Sequence, residues 1–296
     1  MGLTESTRLA IAAAGLSADQ VASVIDLAIT EDLRDGPDVT TLSTVPSDQV
    51  SWAEITPRQV GVLAGGPVAL AVFDMVLGSA GSCRLVVADG GDLVPGEPAL
   101  TLTGPTAGIL TAERTALNLL THLSGIATLT RAWVDAVAGT GARIRDTRKT
   151  LPGLRALEKY AVRCGGGVNH RMSLGDAALI KDNHVAAAGS VQAAIAAVRA
   201  RHATIPLEVE VDTLEQFDEA VGAGAELILL DNFSTADTVE AVRRARSGDR
   251  TLWLEASGGL SLERAREVAA TGVDFLAVGA LTHSAPALDL GLDLSR

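Results

Sequence analysis

Residues 207–212 read Leu-Glu-Val-Glu-Val-Asp. A period of two is strand patterning, and it sets Glu208, Glu210 and Asp212 on one face and Val209 and Val211 on the other. A sheet covered by helices on both faces has little tolerance for three carboxylates along one side of a strand. Inside a barrel, charges near the C-terminal mouth are where catalytic groups belong. This strand favours a barrel over an open sheet.

The same unit recurs on either side of it. Short β-prone runs at 143–149, 177–184, 207–212, 227–232, 252–259 and 275–279 end in polar or small residues. Helical patterns fill the intervals, for instance 191–200, 214–221, 235–246 and 262–270, with Asp212, Glu215 and Ser261 as candidate capping groups. The strand ends at 148, 181, 210, 231, 257 and 279 are 21 to 33 residues apart. That is the cadence of βα units on a parallel sheet. Six units predict a barrel smaller than the usual eight.

The first ~115 residues read differently. A helix is expected over 18–33, strands near 52–56 and 84–87, and a helix over 67–77. The run 90–98 followed by 99–103 reads as a turn-rich hairpin of the biotinyl or lipoyl type. No lysine precedes Lys149, so it carries no prosthetic group. A long helical pattern over 107–137, with a break expected near Ser124-Gly125, leads into the barrel.

Composition excludes several classes. The chain has 296 residues, 47% hydrophobic, with a formal net charge of −12. Such acidity argues against nucleic acid and membrane surfaces, which are themselves polyanionic. The N-terminus lacks a basic region followed by an apolar run, so a cytoplasmic protein is expected. Two cysteines make neither a disulfide framework nor a zinc site. Dinucleotide, P-loop, zinc-protease and nucleophile-elbow motifs are all missing. Only Lys149, Lys159 and Lys181, of 24 basic residues, are lysine. A lysine kept in such a chain is a candidate for work a planar guanidinium does worse. Lys159, beside Glu158 in an amphipathic stretch, reads as a surface residue. His122 reads as helix packing and His202 as an exposed loop.

The strand ends sort by charge. Arg148, Lys149 and Lys181 come first, with Gly165-Gly-Gly-Val-Asn-His-Arg171 between them. Glu210 and Asp231 follow, then Ser257-Gly258-Gly259 and Val278-Gly279-Ala280. Cations match carboxylates or a pyrophosphate, glycine loops match a phosphate, and carboxylates match Mg²⁺, ribose hydroxyls or developing positive charge.

These motifs resemble a known family. Arg145-Asp-Thr-Arg-Lys-Thr-Leu-Pro-Gly153, Gly165 to Arg171, Leu179-Ile-Lys-Asp-Asn-His184, Glu208-Val-Glu-Val211 and Leu229-Leu-Asp-Asn-Phe233 are similar to those of the quinolinate phosphoribosyltransferases. Ser257 to Gly259, Val278 to Ser284, 32–41 and 111–118 continue the likeness over essentially the whole chain. The resemblance implies an α/β protein with an N-terminal α/β sandwich, residues 1–117 joined by 284–296, and an incomplete, roughly six-stranded (β/α) barrel over 118–283. It implies Mg²⁺-dependent transfer of phosphoribosyl from 5-phosphoribosyl 1-pyrophosphate to quinolinate with loss of CO₂. It also implies a homodimer in which Arg114 serves the neighbouring subunit. Arg114, Arg148 and Arg171 would hold the carboxylates, with Thr147, Lys149, His170, Lys181 and His283 around the substrates. Glu210 and Asp231 would hold ribose and metal, and the loops at Ser257 to Gly259 and Val278 to Ala280 the 5′-phosphate. Two other readings stay open on the residues alone: a relative using nicotinate, and a phosphosugar barrel with Lys181 as a Schiff base.

Overall fold

The structure is a computed structural model that describes residues 2–248 and 251–295. It divides into two compact units. One comprises Ala132–Lys149 and Gly167–Ala280, the other Met1–Arg131, Thr150–Gly166 and Leu281–Arg296.

The first of these holds six strands: β1 Arg143–Arg145, β2 Ala178–Ile180, β3 Leu207–Val211, β4 Leu227–Asp231, β5 Trp253–Ser257 and β6 Phe275–Ala277. All pairings are parallel, in the order β1-β6-β5-β4-β3-β2. Ile144, Ile180, Val209, Ile228, Leu254 and Leu276 are buried on the apolar face of the sheet, and helices Val191–Arg201, Leu214–Gly222 and Ala265–Ala269 pack on this sheet.

The other face is charged, and it curls. Arg145 on β1 donates from Nη1 to Glu255 Oε2 on β5 at 2.6 Å and lies 3.8 Å from Glu208 Oε2 on β3. β6, β5 and β4 stand between β1 and β3. In a flat sheet with ~4.8 Å between strands, β1 and β3 would be about 19 Å apart. Only a sheet rolled toward closure brings them within reach of one guanidinium. The roll is incomplete, because β1 and β2 do not pair. Val168 bridges to Arg145 instead and covers the outer edge of β1.

Local chemistry sets the helix starts. Ser190, Thr213 and Ser234 accept from the backbone N–H three residues on, at 3.0, 3.2 and 3.1 Å. The cap of Leu214–Gly222 is thus Thr213, not Asp212, whose N–H donates to Gln216 Oε1. Ser261 makes no side-chain cap bond, and the expected helix over 262–270 is a 3₁₀ turn, Leu262–Arg264, followed by Ala265–Ala269.

The other unit carries an antiparallel sheet in the order Leu290–Ser295, Val50–Pro57, Leu100–Pro105, Ser82–Leu85. Helix Gly66–Leu77 packs on it. The C-terminal strand pairs with Val50–Pro57, from Trp52 opposite Ser295 to Pro57 opposite Leu290. No single described helix is long and apolar enough to cross a membrane.

Three expectations fail in this unit. Asp92–Leu93 pairs with Gly61–Val62 rather than with Leu100–Pro105, so 90–103 is not a hairpin. Helix Thr106–Ala136 runs unbroken through Ser124-Gly125. Ser124 Oγ there donates to Ala64 O and accepts from Ala64 N. Gly125 makes room for a neighbouring chain segment, since a Cβ on it would lie 2.1 Å from Pro286 O. Lys159, finally, is fully buried in helix Arg155–Cys164, as is Glu158. Glu158 accepts from Leu151 N at 3.1 Å and pairs with His122 Nε2 at 2.9 Å. What reads as the wet face of an amphipathic helix is a satisfied polar interior.

Gly125 gives two opposed expectations. Helix propensity favours Ala over Gly by roughly 1 kcal/mol, whereas forcing an atom into occupied space costs roughly 1–3 kcal/mol. At 2.1 Å from a backbone oxygen, the clash should win. Gly125→Ala is expected to lower stability in urea titration by about 1–2 kcal/mol, and a gain would show that the 286–287 backbone yields freely.

Candidate active site

Strands β2 to β6 and the segment that follows β1 meet at one cavity of about 350 Å³. Its walls are Thr147, Arg148, Lys149, His170, Arg171, Lys181, Glu210, Asp231 and Ser257, each of them expected from the sequence. Leu179, Leu229, Glu255 and Ala277 complete it. These four lie two residues before 181, 231, 257 and 279. Strand periodicity therefore places them one layer deeper on the same inward face.

The cation wall is assembled by the segments after β1 and before β2. Asp146, fully buried at the end of β1, accepts from His170 N at 2.8 Å and from Asn169 Nδ2 at 2.5 Å. That pins the residues after the glycine run beside the strand. Thr147 Oγ1 accepts from Lys149 N, fixing the turn that carries Arg148. Arg171 Nη1 donates to Ala177 O. The Nε atoms of Arg148 and Arg171 are buried without a hydrogen-bond partner among the described residues. Burial, and then the Arg148 cation, hold the Arg171 guanidinium below its ordinary pKa. Two crowded, partly dry cations face the cavity.

Lys181 precedes helix Asp182–Ala188, and its backbone N–H is tied to His184 Nδ1 at 3.0 Å. Its ammonium donates to Glu210. Asp231, at the end of β4, accepts from Asn232 Nδ2 at 2.8 Å. Asn232 sits at φ +54°, in the left-handed region asparagine tolerates best among non-glycines. Gly258, at φ +90°, lies against it: a Cβ there would meet Asn232 Oδ1 at 2.1 Å. The turn after β5 thus requires glycine at 258. Val278, Gly279 and Ala280 follow β6, with Val278 N donating to Arg145 O. Arg114, on helix Thr106–Ala136, and His283, closing Ala280–His283, are exposed and belong to the other unit.

Beneath the walls lies a layer the sequence reading passed over in part. His170 Nδ1 accepts from Arg171 N at 2.7 Å. The ring proton is therefore on Nε2, which donates to Glu208 Oε2 at 2.8 Å. Glu255 Oε1 is 3.7 Å from the same Nε2. Burial first, then the Glu208 carboxylate, push the Glu255 pKa up, against the pull of Arg145. The signal was available: Glu255 stands two residues before Ser257, on the inward face.

A quinolinate phosphoribosyl transferase C-terminal domain model matches residues 126–293, and the corresponding N-terminal domain model matches 38–124. The chain belongs to the quinolinate phosphoribosyltransferase family. It is 59% identical to the nicotinate-nucleotide pyrophosphorylase [carboxylating] of Mycobacterium leprae, over 93% of this chain and 98% of that one. Among solved structures, NadC from Streptococcus pyogenes superposes with a TM-score of 0.88 at 37% identity, covering 95% of this chain and 99% of that one. The Francisella tularensis nicotinate-nucleotide pyrophosphorylase gives 0.87 at 36%, over 94% and 96%. The quinolinate phosphoribosyltransferase fold, an antiparallel-sheet unit and an incomplete six-stranded barrel, is thus the one expected.

The elevated pKa of Glu255 has a sign that can be checked. The unfolded chain releases this proton near the ordinary 4.5, the folded chain only at higher pH. Stability is therefore lost as pH rises from about 4.5 through the folded value. Glu255→Gln removes the titration. Urea unfolding at a series of pH values should show wild type losing ground to the variant across that window, with a constant difference below it.

Proposed function

We propose that the chain transfers the phosphoribosyl group of 5-phosphoribosyl 1-pyrophosphate to quinolinate with loss of CO₂. The products are nicotinate mononucleotide, for NAD synthesis, and pyrophosphate, and the enzyme is a Mg²⁺-dependent cytoplasmic homodimer. The observation that carries the reading is the pair of buried, unpartnered Nε–H donors on Arg148 and Arg171 in one cavity. Guanidinium forks match planar carboxylates, and two crowded cations are relieved best by a dianion. The names of the relatives agree with that substrate class.

The remaining roles follow from charge and position. Lys149 and Lys181, as compact point charges, suit pyrophosphate oxygens that move as the bond breaks. Ser257, Gly258 and Gly259, with Val278, Gly279 and Ala280, offer backbone N–H groups to the 5′-phosphate. Thr147, His170 and His283 complete the surroundings of the substrates. Glu210 and Asp231 would take ribose hydroxyls and Mg²⁺. Their fit to magnesium is chemical: two carboxylates at adjacent strand ends line one cavity, and Mg²⁺ prefers one or two carboxylates together with substrate phosphates. The buried group His170, Glu208 and Glu255 fits less well, because the Arg145 guanidinium already occupies it. Bound magnesium would offset charge on the departing pyrophosphate. The residues themselves supply positioning and electrostatics, with no protein nucleophile required.

Purified protein with Mg²⁺, quinolinate and 5-phosphoribosyl 1-pyrophosphate should yield nicotinate mononucleotide, pyrophosphate and CO₂. Nicotinate should turn over at least ~10-fold less efficiently, since a missing carboxylate leaves a buried cation unpaired. Equal use of nicotinate would refute the carboxylating assignment.

Arg114 would act across the dimer interface. In a mixture of Arg114→Ala and Lys181→Ala proteins, each nearly inactive, random exchange makes about half the dimers hybrid. One site of each hybrid is then intact, so roughly a quarter of wild-type activity should return. No recovery after verified exchange would assign Arg114 to its own subunit.

A further inference from the structure

We propose that Glu255 is the catalytic acid that protonates the ring carbon from which CO₂ has left. The inference rests on the reaction proposed above and identifies a residue which that reading leaves without a role. Once the pyridine nitrogen carries ribose, the neighbouring carboxylate can leave. The carbon–carbon bond breaks reversibly, the electron pair remains on the ring carbon beside the cationic nitrogen, and recombination with CO₂ competes until that carbon is protonated. One proton must then be supplied to give the product.

The cavity offers few sources for it. Arginines do not give up protons in this range. The His170 Nε2–H points to Glu208. The Lys181 ammonium donates to Glu210 at the strand ends, where the reading above places pyrophosphate and ribose rather than the ring. Lys149 is exposed, at the mouth rather than the floor.

Glu255 is placed otherwise. It is fully buried and lines the cavity among Leu179, Leu229 and Ala277, an apolar floor suited to a flat ring. Arg145 holds its Oε2 at 2.6 Å and so fixes the carboxyl plane. Its Oε1 is buried and has no hydrogen-bond partner among the described residues. A native protein rarely leaves such an atom unused. Burial and the Glu208 carboxylate keep the proton on the group at neutral pH. The charged and titratable groups around it are Arg145 and Asp146 from β1, Glu208 from β3 and His170. After transfer, Glu255 is a carboxylate paired with Arg145, and it regains a proton from solvent, relayed through the cavity, before the next turnover.

The test separates the two chemical steps. With enzyme in excess over quinolinate, pyrophosphate and CO₂ are followed in a single turnover. Wild type should release them together. Glu255→Gln keeps the shape and an acceptor for Arg145 but carries no acidic proton. It should form pyrophosphate within about 3-fold of the wild-type rate while CO₂ release falls about 100-fold, within the span general acids contribute. Glu255→Asp, which retains an acid, should restore CO₂ release relative to pyrophosphate. A merely structural role would slow both products equally, and that outcome, or their simultaneous release by Glu255→Gln, overturns the proposal. If Glu255→Gln does not fold, Glu255→Asp decides. The pH limb of its CO₂ release should move while that of pyrophosphate release stays, and no differential movement overturns the proposal. Absence of pyrophosphate from wild type would instead sink the transferase reading, a distinct result.

Discussion

Arg145 spans the interior of a barrel that lacks the strands to close. Its guanidinium joins β1 to β5 through Glu255 and approaches Glu208 on β3. It thereby ties together inward positions from alternate strands of the sheet, the arrangement in which barrel interiors fill in layers. Closed barrels fill such layers with branched aliphatic side chains. Here the layer is polar: the Arg145 cation sits between the Glu208 and Glu255 carboxyl groups, and His170 pairs with Glu208. An ion pair in the dry interior stabilises little by itself, but leaving one partner without the other is costly. The layer therefore rewards one curvature of the sheet and penalises any that separates Arg145 from its carboxylates.

The seam shows the same economy. β1 and β2 are edges, and an exposed edge is a row of unpaired donors and acceptors. Val168 bridges to Arg145, and Asp146 ties the backbone of His170 and the side chain of Asn169 to the end of β1. The segment that covers the edge of the sheet is the one that delivers His170 and Arg171 to the cavity. Folding and site assembly are one event at this place.

Much of this was legible in the sequence, for physical reasons that differ by residue. The alternation of Glu208 and Glu210 with Val209 and Val211 survives because a strand with one charged face has only an interior or water to turn it toward. The strand ends at Arg148, Lys181, Glu210, Asp231 and Ser257 converge because parallel strands in a barrel share a mouth. Gly125 misled because glycine in a helix can mark a break or a close approach, and only the tertiary partner, Pro286, distinguishes them. Lys159 misled for a related reason: its local pattern is that of a wet helix face, and the burial that makes it interior comes from segments distant in sequence. Glu255 was readable from the two-residue spacing to Ser257. It was overshadowed because strand ends, rather than strand middles, are where functional groups are sought.

Depth sorts the charges of the site, and the sorting follows from solvation. Glu210 and Asp231 are only partly buried at the strand ends, within reach of water. Arg148 and Arg171 stand against the wall with their Nε atoms out of water, and in the proposed reaction the ring carboxylates would supply the acceptors they lack. Glu255 lies deeper still, where a lone carboxylate would be too costly to keep and the acid form persists. In that reaction, an anionic ring carboxylate drawn by the wall would meet no fixed negative charge from that neutral acid. Glu210 and Asp231 lie instead at the mouth, where the positive ribose carbon would form. In the proposed reaction, charged carboxylates lining the floor in place of that acid would repel the ring, and a mouth without Glu210 and Asp231 would leave the developing ribose cation without support.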